Sequence, residues 1–431
     1  MIKIKEILIP FGKSGNIYLI GALTQGVTPV LLTPFLTRTI STTEFGQITI
    51  LNSVALILSI LFSLGIPIVI SRSYILEKNQ KNSIDKLINI FAFIYILISI
   101  IFYLTYKIAG HTYLLFISIG FLLAIYQIGL PTFRARNQST LFATYSILNT
   151  LLPILFILLF KNKILTIFDL FFLGVFCSSL FSMIFIYRKT SKIIVNKFIL
   201  KAIKTSLPIL PHMLGMIAFV NIDKVLFGYL KDESIAGYLQ IIMLVGLSPI
   251  FILSALNHAW LNQILEQLSK LGSKTLSQIN KTVYILLLIC TLMIVTLTFT
   301  SSKIVEILNP NIIMNTNIFS SIILTSVSSL LYVIYLANTH ILTWNKNFWV
   351  LGISTPFSVL IQAISIYLLI DRLTYLSAAI GIGVALTFQI FVLELFNVFK
   401  NNHKILMKWT KLFPVVVYWS TCFIVVIITR S

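Results

Sequence analysis

The chain has 431 residues, 58% of them hydrophobic and only 10% charged, with a formal charge of +20 and a mean hydropathy of +0.99. That balance excludes a water-soluble globular protein, whose charged fraction is about 25%, and identifies an integral membrane protein. A bilayer core about 30 Å thick takes roughly 20 apolar residues per helix; runs of that length recur along the whole sequence and leave no soluble domain.

The first apolar run, Ser14 to Leu36, is too long for a signal-peptide core and passes into a second without a convincing small-residue cleavage site, so it is expected to remain as a span. Further spans are read at Phe45 to Ile70, Leu87 to Tyr106, Thr112 to Leu130, Leu141 to Phe160 and Leu170 to Tyr187. A second set follows at Leu207 to Leu230, Ile235 to Leu261, Thr282 to Ser301, Asn317 to Asn338, Phe348 to Ile370 and Tyr375 to Phe399. The run Leu412 to Thr429 is barely long enough to add a thirteenth. The expected fold is all-α and polytopic, about twelve transmembrane helices in two six-helix lobes. The lobes are read as residues 1–205 and 206–411, with 412–431 as an extra C-terminal hydrophobic segment.

The break between lobes is the basic connector from Arg188 to Lys204. Six spans per lobe give both lobes the same orientation, the condition for a parallel repeat about an axis along the membrane normal. Two stretches match weakly across the halves: "TTEFGQITILNSV" from Thr42 and "KDESIAGYLQIIMLV" from Lys231 each set a polar turn with an acid before a glycine at the start of an apolar helix. Breakers at Pro29, Pro34, Gly65, Pro67, Pro208, Pro211, Pro249 and Pro356 fit kinked spans around an internal cavity, or ordinary proline use in membrane helices.

The positive charge reads as topology. With a cytoplasmic N-terminus, 23 of the 32 lysines and arginines fall on the cytoplasmic side, eight lie outside, and Lys224 alone sits within a span. This bias suits anionic lipid headgroups and argues against nucleic acid. "FGKSGN" contains Gly12-Lys13-Ser14, but Ile7 stands where a phosphate-cradling loop needs its first glycine, so no nucleotide site is expected. Cys177, Cys290 and Cys422 lie in apolar runs and form neither a disulfide nor a metal pattern; no metal or cofactor is expected.

The strongest chemical signal is Asp223-Lys224, an acid and a base inside the apolar run from Leu207 to Leu230. A charge at a helix centre costs roughly 2.5 to 3.5 kcal/mol on insertion scales and tends to face a cavity or a partner. Neighbouring residues point about 100° apart on a helix, so each of the two is expected to need its own partner. Lys224 has the alternative of snorkelling to the outer interface, six residues away. His212 shares the face of Asp223, eleven residues earlier. Gln25, His258 and Glu394 are further polar candidates within spans, set against ordinary satisfied packing. Arg38, Arg72, Arg134 and Arg136 stand at span ends, where topology alone explains them, although guanidinium also suits phosphate recognition.

"LLTPFLTRTISTTEFGQITILNSVALILSILFSLGIPIVISRSY" (Leu31 to Tyr74) resembles the opening two helices of the polysaccharide exporter, or O-antigen flippase (Wzx-type), family of the multidrug/oligosaccharidyl-lipid/polysaccharide exporter superfamily. The features that match are Arg38, Glu44-Phe45-Gly46, Gly65-Ile66-Pro67 and Arg72. "LKAIKTSLPILPHMLGMIAFVNIDKVLFGYL" (Leu200 to Leu230) resembles that family's seventh helix, with the Asn-x-Asp-[Lys or Arg] step at Asn221 to Lys224. Length and span count agree over the whole chain; the motifs cover these two regions, and the thirteenth span departs from the usual twelve.

The resemblance implies a non-enzymatic flippase of a bacterial inner membrane. It would carry an oligosaccharide repeat unit on undecaprenyl pyrophosphate, of O-antigen or capsule type, from the cytoplasmic to the outer leaflet by alternating access, as an antiporter coupled to an ion gradient. The sugar and pyrophosphate would occupy a cationic, water-filled cavity between the lobes while the lipid tail stays in the bilayer. Cavity candidates are Lys224, Asp223, Arg38, Arg72, Arg134, Arg136 and Gln25; candidates for ion coupling are Asp223, His212, Glu394 and His258. Implied partners are membrane lipids, a glycan polymerase and a chain-length regulator. Alternatives are a lipid II or multidrug exporter and, in a different class, a membrane glycan polymerase, whose large outer loop is not seen here.

Overall fold

The computed structural model describes residues 21, 29–67, 70, 81–161, 165–187, 204, 206–254, 256–257, 274–344, 347–401 and 408–430. These are helical almost throughout, with no strand among them. In chain order they form α1 (residues 29–39), α2 (Thr42–Ser63), α3 (Lys81–Ala109), α4 (Thr112–Ala135), α5 (Ser139–Phe160), α6 (Ile167–Ile186) and α7 (Leu210–Leu230). There follow α8 (Glu233–Gly246), α9 (Ser248–Ser254), α10 (Lys274–Leu308), α11 (Thr316–Trp344), α12 (Phe348–Leu373), α13 (Tyr375–Asn401) and α14 (Lys408–Arg430). Among the described residues eleven helices are long and apolar enough to cross a membrane, or twelve if bent α8–α9 is one span. The protein is therefore an all-α polytopic membrane protein. Leu412 to Thr429 meets the same test as the other spans, whereas Ser14 to Leu36 lies mostly outside the described residues.

Local chemistry sets the helix boundaries. Ser41 caps α2 by accepting from the Glu44 amide at 3.2 Å, while its own amide donates to Glu44 Oε2 at 2.8 Å; Thr166 and Asp169 form the same reciprocal box at α6. The expected span Phe45 to Ile70 is corrected here. Its helix stops at Ser63, because Leu64 and Gly65 adopt left-handed conformations (φ 50° and 70°) and turn the chain. Gly65 is required there twice over, since a Cβ on it would also come within 2.8 Å of the Ser206 carbonyl oxygen. Pro208 lies in a short 3-10 turn, Leu207–Ile209, and Pro211 in the first turn of α7, where the missing N–H costs little.

The chain forms two compact units: the described residues of 1–44 with 48–217, and those of 45–47 with 218–431. In the first unit α3 packs on α4, and α4, α5 and α6 pack on one another. Small polar residues let these helices approach: Ser118 donates to the Ser99 carbonyl at 2.8 Å, and Ser179 to that of Leu122 at 3.1 Å. Where α5 crosses α6, Gly174 faces the backbone of Pro153, leaving no room for a Cβ. Asp169 is fully buried, accepting from Lys107 Nζ at 3.0 Å, Tyr103 at 2.8 Å and Thr166 Oγ1 at 2.8 Å.

In the second unit α11 is the hub, packing against α8, α10, α13 and α14, while α12 lies along α13. Its buried face is rich in hydroxyls, including Ser321, Thr325, Ser326, Ser328 and Ser329, with Asn338 nearer the end. The C-terminal α14 belongs to this unit: Tyr418 is fully buried, and its hydroxyl donates to the Ala379 carbonyl of α13 at 2.9 Å.

Candidate functional site

Asp223 and Lys224 lie past the middle of α7, in the second unit, and both are buried, at 1% and 4% relative exposure. The expectation that each needs a separate partner is overturned. Lys224 Nζ donates to Asp223 Oδ1 at 3.2 Å and to the Val220 carbonyl, and the Lys224 amide donates to the same Oδ1 at 2.9 Å. Helical side chains lean toward the N-terminus of their helix, and the four-carbon lysine stem is long enough to fold back and bring its ammonium beside the neighbouring carboxylate. Its turn toward Val220 also removes the snorkelling alternative, which needs the ammonium to run the other way, toward Leu230.

Asp223 Oδ2 has no hydrogen-bond partner among the described residues. One turn to either side stand Phe219 and Phe227, both buried. The Phe219 carbonyl accepts from Gln362 Nε2 of α12 at 3.1 Å, and Phe227 stacks on Tyr375 of α13 with ring centroids 6.2 Å apart. Gln362 is itself fully buried, and its Oε1 also lacks a partner among the described residues. Along α12 the polar seam continues: Gln389 of α13 donates to Thr355 Oγ1 at 2.9 Å, and Ser358 donates to the Thr355 carbonyl at 2.8 Å.

The other candidates occupy different places. His212, half-buried on α7, is eleven residues from Asp223, about 16 Å along the helix axis. Arg38 is exposed and donates to the Pro34 carbonyl at 3.3 Å. Arg134 is exposed over the ring of Phe142, 5.4 Å from its centroid, a cation–π arrangement. Arg136 ties three helices of the first unit together, with one guanidinium nitrogen 2.7 Å from Asp85 Oδ1 and another 2.8 Å from the Ile186 carbonyl. Glu394 is half-buried on α13, one turn before Asn397, whose amide donates to Asn338 Oδ1 at 3.2 Å. Gln25, Arg72 and His258 lie outside the described residues. Of the candidates, the structure joins Asp223 to Lys224.

Sequence reading missed Gln362, Gln389 and the hydroxyls of α12. Thr355, Ser358 and Gln362 follow the i, i+3, i+7 spacing of one helix face within an apolar span, and that pattern is the signal that marks them. Chemically the site is a buried ion pair whose Asp223 Oδ2 receives no hydrogen bond from the described residues. An anion reaching it would compete for the ammonium, and a cation would compete for the carboxylate.

No protein-family model and no curated protein sequence matches the chain. Solved structures do. The lipid II flippase MurJ, in an inward closed conformation, superposes with a TM-score of 0.67 at 13% identity, covering 95% of this chain and 92% of that one. An inward-facing multidrug resistance MATE family transporter of the MOP superfamily gives 0.62 at 14% identity, over 93% of this chain and 95% of its own. A Vibrio cholerae MATE transporter gives 0.63 at 12% identity, over 93% and 98%. The chain therefore has, over nearly its whole length, the all-α membrane fold that these transporters carry.

Proposed function

We propose that the protein is a flippase that carries a lipid-linked oligosaccharide, its repeat unit joined through pyrophosphate to undecaprenol, to the outer leaflet of a bacterial inner membrane by alternating access. The observation that carries this reading is the buried Asp223–Lys224 pair, set in a membrane-length helix of a fold shared with a lipid II flippase and drug exporters. A sugar and a pyrophosphate cannot cross hydrocarbon unaided. Burying an ion pair in a span costs desolvation that packing alone does not require. In this reading Lys224 supplies positive potential for the anionic headgroup, and Asp223 balances it in the empty state or takes the coupling ion. Residues 1–205 and 206–411 act as the two lobes, the N-terminus is cytoplasmic, and a polymerase and a chain-length regulator act on the delivered product.

The test is genetic and chemical together. Deleting the gene should abolish surface glycan and leave the lipid-linked repeat unit accumulating in the membrane, with a plasmid copy restoring both. Intact surface glycan with no accumulation sinks the proposal.

A second reading, export of lipid II or of drugs, is favoured by the MurJ and MATE likenesses. It predicts that deletion instead blocks peptidoglycan growth or raises drug sensitivity.

A further inference from the structure

The eighth span is broken inside the second unit: α8 and α9 meet at an angle of 56°. Pro249 explains the break, because it lacks the N–H that the Val245 carbonyl would receive in a continuous helix. That carbonyl is met instead by Ser248 Oγ at 2.8 Å. The next carbonyl, Gly246, accepts from Ser326 Oγ of α11 at 3.2 Å, and the same hydroxyl lies 2.8 Å from the Ile322 carbonyl of its own helix. A serine hydroxyl has one hydrogen to give, so the freed Gly246 carbonyl competes for it with the Ile322 carbonyl, which lies inside continuous α11.

The two arms are anchored differently. Gly246 lies tight on α11: a Cβ there would meet Thr325 Cβ at 2.8 Å and the Ile322 carbonyl oxygen at 3.2 Å. With Met243 Sδ 3.7 Å from Thr325 Oγ1, this seats α8 firmly. Beyond the bend α9 buries Ile250 and Leu253, and its far end makes a hydroxyl contact between Ser254 and Tyr332 of α11, at 3.3 Å. In hydrocarbon a backbone carbonyl cannot turn to water when a helix bends. Hydroxyls within reach of each freed carbonyl are what allow a bend to change without leaving one unsatisfied.

We propose that residues 246–249 form a hinge in the eighth span, on which α9 swings while α8 stays seated on α11. The Ser326 hydrogen passes between the Ile322 and Gly246 carbonyls as it does so, and the Ser254–Tyr332 contact latches the arm. The hinge goes beyond the transport reading and does not depend on what is carried.

Hydrogen–deuterium exchange on the full chain in lipid nanodiscs, without substrate, tests it. In the wild type, amides of residues 247, 248 and 250–252 should exchange about tenfold or more faster than those of 236–244, since local opening sets exchange. Pro249→Ala, which restores a donor to the Val245 carbonyl, should bring the two segments level. Ser326→Ala should change exchange at 247–252, and Ser326→Thr, which keeps the hydroxyl, should behave as wild type; unchanged exchange within α13 checks that each variant is folded. If wild-type residues 247–252 exchange as slowly as 236–244, or if neither Pro249→Ala nor Ser326→Ala alters them, the bend is a fixed kink and the hinge is wrong. Neither result bears on glycan export, whose persistence in the deletion strain without accumulation of the repeat unit would overturn the transport reading alone.

Discussion

Lys224 and Asp223 support opposite expectations for stability and for activity, and that opposition makes them testable. Each is buried and each is the other's ionic partner. Removing one leaves an uncompensated charge in low dielectric, which typically costs about 3–5 kcal/mol, whereas replacing both with apolar groups of similar volume is often neutral. Lys224→Ala should therefore lower unfolding stability in detergent by an amount of that order while the chain still inserts. Asp223→Leu combined with Lys224→Met should return stability to near the wild-type value. If the pair serves transport, surface glycan is lost in both variants; full export by the double variant would remove the pair from the mechanism. The sequence revealed that these charges were unusual, because any ion in a 24-residue apolar run is conspicuous. It did not reveal that they satisfy one another. That depends on the path of a flexible lysine stem, which the 100° step between neighbouring Cβ atoms does not describe.

The spans themselves were legible because hydropathy alone selects membrane helices, and caps such as Ser41–Glu44 mark their starts. The ties between them were not. Arg136 stands at a span end, where charge bias explains it, yet it bonds Asp85, 51 residues away, and the Ile186 carbonyl, 50 away; no local pattern encodes such contacts. Arg136→Ala strips α3 and α6 of this tie and should cost about 1.5–3 kcal/mol, the range for charged hydrogen bonds. Arg136→Lys should recover at most half, because an ammonium lacks the planar fork that serves both acceptors. Melting curves of the two variants beside the wild type check both statements. At α14 the tie is steric. A Cβ on Gly383 of α13 would fall inside the Tyr418 ring, so Gly383→Ala should destabilise by about 1–3 kcal/mol through overpacking. Because one contact underlies both effects, Gly383→Ala in a Tyr418→Ala background should cost almost nothing more. Full additivity in that double-mutant cycle would mean that Gly383 acts elsewhere.

For the molecule as a whole the open structural question is where the chain emerges after α14. Sequence alone left Leu412 to Thr429 as an extra segment, because 18 apolar residues give only about 27 Å of helix against a core of about 30 Å. The structure makes it a helix docked on α11 and α13, with Tyr418 buried among them. A helix seated beside membrane-length neighbours in this way is held at their depth. Its flanks agree: Lys400, Lys404, Lys408 and Lys411 precede the apolar run, whereas Arg430 alone follows it, and the lysine-rich side of a short segment stays cytoplasmic. With the twelve spans expected from the sequence before it, the chain returns to the side of the N-terminus, and a thirteenth would carry residue 430 across. Alkaline phosphatase joined after Ser431 should accordingly be active and a fluorescent protein there dark, with the reverse for fusions after His403. If both positions report the same side, α14 does not cross, and its docking on α11 must be reached from within the membrane without traversing it.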